Sequence, residues 1–191
     1  MIDMLLFKTK VQEKQWDEVR ELCKPENGIL NARDSDNLTA LHYVGMDNDL
    51  ETCEHIVNFF DESAKAQVRA FFAGGAAYSG NVENTLWHLS QIKDLESRKF
   101  ASIHVCTVAL NQGHDKVVLR FLPDLDAEYY HQLGNTAEAK NLKDLASCIF
   151  NALALKIVEV SGPPAVVFST MKPSVSPTSQ VDFRIERPTL R

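Results

Sequence analysis

The residues best suited to chemistry in this sequence are its cysteines and histidines, and their spacing argues against a shared site. Cys53 and His55 are two positions apart, and so are His104 and Cys106. On a helix, residues two apart point about 200° from each other, so neither pair can hold one metal ion. A cysteine nucleophile also needs a general base, and no motif supplies one. The sequence therefore predicts no catalytic residue, no metal site and no cofactor.

The remaining chemical signals are weak. Gly74-Gly75 lacks the Lys-Ser/Thr that completes a phosphate-binding loop, and no His-Glu-x-x-His is present. We interpret the carboxylates of Asp34 and Asp36 as parts of a solvated turn. Because they lie at the tip of a predicted hairpin, they could also contact a basic partner. The scattered cysteines are interpreted as buried, reduced thiols; they are Cys23, Cys53, Cys106 and Cys148.

Composition favours a soluble globular protein that does not bind nucleic acid. The chain has 191 residues, of which 45% are hydrophobic and 24% charged, and its net charge is -6. Phosphate recognition needs a basic face, which this balance does not favour. No apolar run approaches the roughly 20 residues of a membrane span, and Met4-Leu5-Leu6-Phe7 is too short for a signal-peptide core. We therefore expect no membrane span and a cytoplasmic location.

The chain divides near residue 160. Residues 1–160 hold 16 Lys/Arg and 24 Asp/Glu, whereas residues 161–191 hold 4 Lys/Arg and 2 Asp/Glu and are rich in Pro and Ser. Ala165–Phe168 and Val181–Ile185 favour extended structure. We therefore predict a helical domain over 1–160 and a Pro-rich, partly β-extended segment over 161–191.

Polar breaks recur along the helical part at a nearly constant interval. They begin at Lys14, Asn48, Gly80 and Gly113, which gives intervals of 34, 32 and 33 residues. Gly suits such a break because the chain reverses there through positive φ, which costs Gly nothing and Asn little. Repetition near one length indicates a helical-repeat solenoid.

The stretch from Asp34 to Asn58 is the best-formed unit. A polar turn leads into Thr39-Ala40-Leu41-His42, then a helical piece, a break and a second helical piece. This stretch resembles one ankyrin repeat, whose signature is Thr-Pro-Leu-His-x-Ala. The resemblance implies an all-α ankyrin-type solenoid with units of about 1–33, 34–66, 67–99, 100–133 and 134–160.

The other units depart from the ankyrin pattern. Phe71–Gly74 and His104–Thr107 occupy the signature positions of units three and four without its capping residues, so unit three is expected to begin with a longer helix. In unit five, Leu142–Ala146 is a degraded signature. Gly134-Asn135 is predicted to form a turn before it, and Thr136 a helix cap.

The resemblance implies non-catalytic protein–protein recognition. Ankyrin proteins usually hold another protein on the concave face, formed by hairpin tips and the exposed side of each first helix. Short, divergent ankyrin proteins with polar tails also resemble bacterial effectors that act on a host protein, in a host cytosol. Carried onto this sequence, the predicted partner-binding residues are Ser35, Asp36, Leu38, Tyr43, Met46, Asp47, Tyr78, Ser79, Asn111 and Gln112.

Two alternatives stay open at this stage. One is a small helical enzyme with a cysteine/histidine site. The other is an oligomerising adaptor in which the tail pairs with a partner or a second copy as an added strand. The sequence does not specify the oligomeric state.

Overall fold

The computed structural model describes residues 3–29, 32–47 and 49–161, the side chains of 158–161 excepted. Within these ranges the fold is all-α, as predicted. The predicted tail over 161–191 and the break at Asn48 lie, apart from Ser161, outside the described residues. The helices are α1 (Met4–Gln12), α2 (Trp16–Leu22), α3 (Ala40–Asp47), α4 (Leu50–Val57), α5 (Glu62–Tyr78), α6 (Val82–Ser90), α7 (Leu95–Gln112), α8 (Asp115–Phe121), α9 (Ala127–Ala139) and α10 (Lys143–Ser161).

The helices form five consecutive pairs. The first helix of each pair packs on the first helix of the next, in the order α1, α3, α5, α7, α9. The second helices pack on the outside of this row, with α2 against α4 and α6 against α8. The main contacts thus join helices of one pair or of neighbouring pairs. None of the described helices has the length and continuous apolar character that a bilayer span requires.

A single turn geometry closes the first helix of four pairs. The residues with positive φ are Lys14 (57°), Gly80 (74°), Gly113 (75°) and Asn141 (62°). After each, a backbone N–H reaches back to the carbonyl five residues earlier, as in Asn81 to Ala76 and His114 to Ala109, both at 2.9 Å. This is the Schellman arrangement, which satisfies carbonyls that the helix end leaves free. Three of the predicted breaks therefore lie between paired helices.

Carboxylate and amide caps set where many helices begin. Asp49 accepts from the N–H of Thr52, Asp61 from that of Ala64, Asn81 from that of Asn84 and Asp94 from that of Ser97. Each cap satisfies an amide that has no partner within its own helix. The caps of α5 and α7 come directly after the preceding helix pair, so these helices run for 17 and 18 residues. The longer helix expected in unit three is present.

Helix α5 is the centre of the core because its two faces serve different clusters. Phe71 and Phe72 pack with α1–α4, whereas Ala73 and Ala77 pack with α7 and the pairs beyond it. Small residues let the neighbours approach closely: a Cβ on Gly75 would lie 2.0 Å from the His42 carbonyl oxygen. Burial of this two-sided apolar surface holds the row of helices together.

Three local expectations are wrong. Gly134, Asn135 and Thr136 lie inside α9 rather than in a turn, because Gly134 gives room to the Phe150 ring. The break lies instead at Asn141, so residues 143–146 of the degraded signature begin the second helix of that pair. Cys148 is exposed, in contrast to the other three thiols, which are buried.

Candidate functional site

A groove of about 1170 Å³ runs across the first helices of the middle pairs. One wall is the hairpin before α3, where Arg33 and Thr39 form an antiparallel bridge. The floor is made by α5, and the other wall by α7, with the end of α9 beyond it. The lining residues are Arg33, Asp36, Asn37, Leu38, His42, Ser63, Ala66, Gln67, Ala70, Phe71, Tyr78, Glu96, Ser97, Phe100, His104, Thr107, Val108, Asn111, Gln112 and Lys140.

Helical spacing explains why these side chains meet. On α5, Ser63, Gln67, Ala70, Phe71 and Tyr78 share one face, since residues three, four and seven apart lie above one another. On α7 the same rule aligns residues 100, 104, 107, 108 and 111. The groove is therefore a product of two long helices lying side by side.

Two histidine rings from α3 and α7 meet above the floor of the groove. The Nε2 atoms of His42 and His104 are 2.9 Å apart, although the residues belong to α3 and α7. The rings meet over Gly74, where a Cβ would lie 2.5 Å from His104 Nε2 and 2.9 Å from His42 Nε2. A glycine on α5 is thus required for this contact between its two neighbours.

The hydrogen bonds fix the tautomer of each ring. The Thr39 N–H donates to His42 Nδ1 at 3.0 Å, and the Thr39 hydroxyl oxygen is 2.7 Å from the same nitrogen. His42 therefore carries its proton on Nε2 and donates to His104 Nε2, which leaves the His104 proton on Nδ1. In this state His42 Nε2 has no free lone pair, so the pair is not arranged as a metal site.

The pair is held in the neutral form. Burial, reinforced by His104 and Arg33 and opposed by Asp34, lowers the pKa of His42 to about 3. Burial and Arg33 also lower the pKa of His104. The imidazoles therefore act as hydrogen-bonding groups without charge at neutral pH.

Aromatic and cationic groups surround the pair. Phe71 contacts His42 and His104, with ring centroids at 5.3 and 6.2 Å, and the Arg33 guanidinium lies 5.8 Å from the Phe71 ring centre. One turn before His104, the Phe100 side chain is 72% exposed within the groove. An exposed aromatic in a concave surface is a typical contact point for another protein.

The groove contains half of the sequence-predicted partner-binding residues. Asp36, Leu38, Tyr78, Asn111 and Gln112 line it. The other five lie outside its lining. They are Ser35 and Asp47, which are exposed, Tyr43 and Met46, which are half-buried, and Ser79, whose hydroxyl donates to the Ala76 carbonyl at 3.0 Å.

Asp34 differs from the solvated turn residue that the sequence suggested. Its side chain is 6% exposed and accepts from Lys8 Nζ at 2.6 Å and from the Tyr43 hydroxyl. Burial opposes ionisation, but these hydrogen bonds and one from the Leu38 N–H outweigh it and lower the pKa of Asp34 to about 2. Asp34 thus ties the hairpin to α1 and α3, which places Tyr43 in a structural role here.

Sequence reasoning missed the groove residues of the long helices. Phe71 and His104 lie at degraded signature positions of the sequence, and Gln67 and Phe100 belong to no predicted site. Their spacing of four within α5 and within α7 is a signal that could have grouped them on one face.

The thiols are poorly placed for nucleophilic catalysis. Burial raises the pKa values of Cys23 and Cys53, and that of Cys106 to about 12. The thiolate is the nucleophilic form, and burial disfavours it. His55 is exposed while its sequence neighbour Cys53 is buried, so this pair does not form one site.

The fold and the groove together define a protein that is all-helical over the described residues, with a concave surface shared by an N-terminal hairpin and two long helices. Comparisons with protein-family models, with curated proteins and with solved structures give no match for this chain.

Proposed function

We propose that this chain is a divergent ankyrin-type solenoid that binds another protein in the groove between the hairpin and α7. The observation that carries the proposal is the groove itself, which contains Phe100 and five of the residues that the ankyrin resemblance implies for the concave face. The proposed activity is recognition without catalysis.

Three features support the ankyrin part of the proposal. The chain forms successive helix pairs, Schellman turns at Lys14, Gly80, Gly113 and Asn141 join the two helices within four of these pairs, and a hairpin precedes α3. Thr39 and His42 bond to each other within the signature stretch. Contacts between nearest neighbours are typical of repeat proteins.

The lining suits a segment of polypeptide better than a small molecule. The volume of the groove, about 1170 Å³, is above the usual range for small-molecule pockets, which is about 300–1,000 Å³. Side-chain amides offer both a donor and an acceptor, so Asn37, Gln67, Asn111 and Gln112 can pair with peptide groups. Phe71 and Phe100 supply apolar contact beside them.

The effector hypothesis is part of the same proposal and rests on the resemblance alone. A host protein is then the partner, and a host cytosol the place of action. A eukaryotic cell lysate is the corresponding source in which to search for the partner.

The test is affinity capture from that lysate with the full chain and two matched variants. Phe100→Ser removes an exposed aromatic inside the groove, and Leu119→Ser removes an exposed apolar side chain from α8, outside it. Loss of an interface anchor costs about 2 kcal/mol or more, so the affinity of proteins bound in the groove should fall at least about 10-fold with Phe100→Ser. Leu119→Ser should retain them.

An identical set of captured proteins from wild type, Phe100→Ser and Leu119→Ser would overturn the groove proposal. The alternative of an oligomerising tail makes a different prediction. Removal of residues 162–191 would then lower the oligomeric state of the chain, as measured by analytical ultracentrifugation, and Phe100→Ser would not.

A further inference from the structure

We propose that the His42–His104 hydrogen bond is an acid-sensitive latch above the floor of the groove. In neutral solution the bond joins the two rings over Gly74, which we call the closed form. Protonation breaks the bond and gives the open form. The proposal concerns the regulation of the proposed partner site, but the latch itself is a property of the chain alone and is measured without a partner.

The first argument is the position of the bond. Helices α3 and α7 both pack against α5, and the main contacts of each are with α5 or with members of their own and adjacent pairs. The 2.9 Å bond between the two Nε2 atoms joins α3 directly to α7. It is therefore a cross-link between α3, which directly follows the hairpin wall, and α7, which forms the other wall, made by side chains that line the groove.

The second argument is that this bond needs a lone pair on one of the two Nε2 atoms, which in the neutral pair is that of His104. His42 donates through Nε2 because Thr39 N–H occupies Nδ1. A proton on His104 Nε2 would place two N–H groups against each other at 2.9 Å. A proton on His42 Nδ1 would face the Thr39 N–H, although the Thr39 hydroxyl oxygen at 2.7 Å can accept it. When both rings are protonated, no lone pair remains between the two Nε2 atoms and an attraction is replaced by a repulsion.

The third argument concerns the surrounding charges. The charged groups that face the pair belong to the hairpin: Arg33 disfavours a positive ring at both positions, and Asp34 favours one at His42. Asp34 is already paired with Lys8. From α5 the pair meets the Phe71 ring and the backbone of Gly74. Burial and Arg33 disfavour a charged ring in the closed form, and two charged rings cannot keep the 2.9 Å contact, so the rings move apart when both become charged.

The fourth argument gives the size of the effect. A free histidine has a pKa near 6.5, and each ring that the closed form keeps neutral favours opening as the pH falls. Between pH 7.5 and pH 5 the ratio of open to closed form then rises about 30-fold for each such histidine. A charged ring entering the groove also changes the surface that a partner meets, so we expect partner affinity to fall with it.

The experiment follows histidine ring nitrogens by NMR in the full chain labelled with ¹⁵N-histidine, from pH 7.5 to pH 4.5. At pH 7.5 we expect His42 as the Nε2–H tautomer and His104 as the Nδ1–H tautomer. On acidification both rings should become charged in one step that is steeper than a one-proton curve. Backbone amides of α9 and α10 should keep their positions through that step.

Two variants sharpen the result. His104→Gln retains an acceptor for His42 Nε2–H but removes one titrating ring, so the steepness should fall to that of one proton. His131→Gln changes an exposed ring on α9 and should leave the step unaltered.

Independent one-proton curves near pH 6.5 for His42 and His104 would overturn the proposal, and so would two rings that stay neutral down to pH 4.5. So would protonation that occurs only together with loss of the α9–α10 signals, since that is global unfolding. None of these results bears on whether a partner binds in the groove. A failed partner capture likewise does not affect the NMR test of the latch, which uses the chain alone.

Discussion

Two buried histidines of this chain differ in their hydrogen bonds and therefore in their effect on stability. His42 is buried and bonded through both ring nitrogens. His88 on α6 is also fully buried, between Phe72 and Trp87, but neither of its ring nitrogens has a hydrogen-bond partner among the described residues. Buried polar groups without partners cost stability, so His88 weakens the fold that surrounds it.

The first prediction is that His88→Leu stabilises the protein. Leu fills a similar volume and removes two unpaired nitrogens, so the free energy of unfolding at pH 7 should rise by about 1–2 kcal/mol. Urea denaturation followed by circular dichroism measures it. The exposed His55 provides the control, because His55→Leu leaves no buried group changed.

The same variant should lose part of its sensitivity to acid. Burial, with a smaller contribution from Arg69, lowers the pKa of His88 to about 3 in the folded chain. The unfolded chain binds this proton near pH 6.5, so stability is complete above that pH and falls as the pH drops towards 3. The loss attributable to His88 at pH 5 is about 2 kcal/mol. An equal loss in wild type and His88→Leu would contradict this account.

At the scale of elements, the close packing of α3 on α5 depends on glycine. Cβ atoms added at Gly45 and Gly75 would lie 2.3 Å from the Phe72 carbonyl oxygen and 2.0 Å from the His42 carbonyl oxygen. Both obstacles are backbone atoms, which cannot rotate away as a side chain can. The crossing also carries His42 to the groove, so packing and site geometry depend on the same residues.

The second prediction therefore compares two glycines. Gly75→Ala should lower the free energy of unfolding by about 3 kcal/mol, because α3 and α5 must move apart. Gly113→Ala meets no atom within 4 Å and is strained only by its φ of 75°, so its cost should be about 1 kcal/mol. Urea denaturation of both variants tests the difference. A cost for Gly75→Ala no larger than that for Gly113→Ala would show that the two helices are less closely packed than described.

For the whole molecule, local features were predictable and contacts between distant residues were not. Breaks at Lys14, Gly80 and Gly113 could be predicted because a polar turn with positive φ is encoded by a few adjacent residues. The latch between His42 and His104 joins residues 62 apart and depends on Gly74 of a third helix. The turn predicted at Gly134 is wrong because of a contact with a distant residue. The absence of a side chain at Gly134 makes room for the Phe150 ring, and the chain does not turn there.

The same distinction applies to the groove. The ankyrin resemblance provided Asp36, Leu38, Tyr78, Asn111 and Gln112, which are positions near turns and helix ends. It did not provide Phe100 or Gln67, because these depend on how α5 and α7 lie beside each other. Helices α5 and α7 run for 17 and 18 residues, so their middle turns form part of the groove.

The central claim, that the groove holds a protein partner, is tested most directly by photocrosslinking from inside it. Benzoylphenylalanine would be placed at position 100 in the groove, and in a second chain at position 119 on α8, where Leu is also exposed. After irradiation in eukaryotic cell lysate, we predict a discrete protein adduct from position 100 that excess wild-type chain suppresses, and no such adduct from position 119. A competed adduct from position 119 with none from position 100 would contradict the claim.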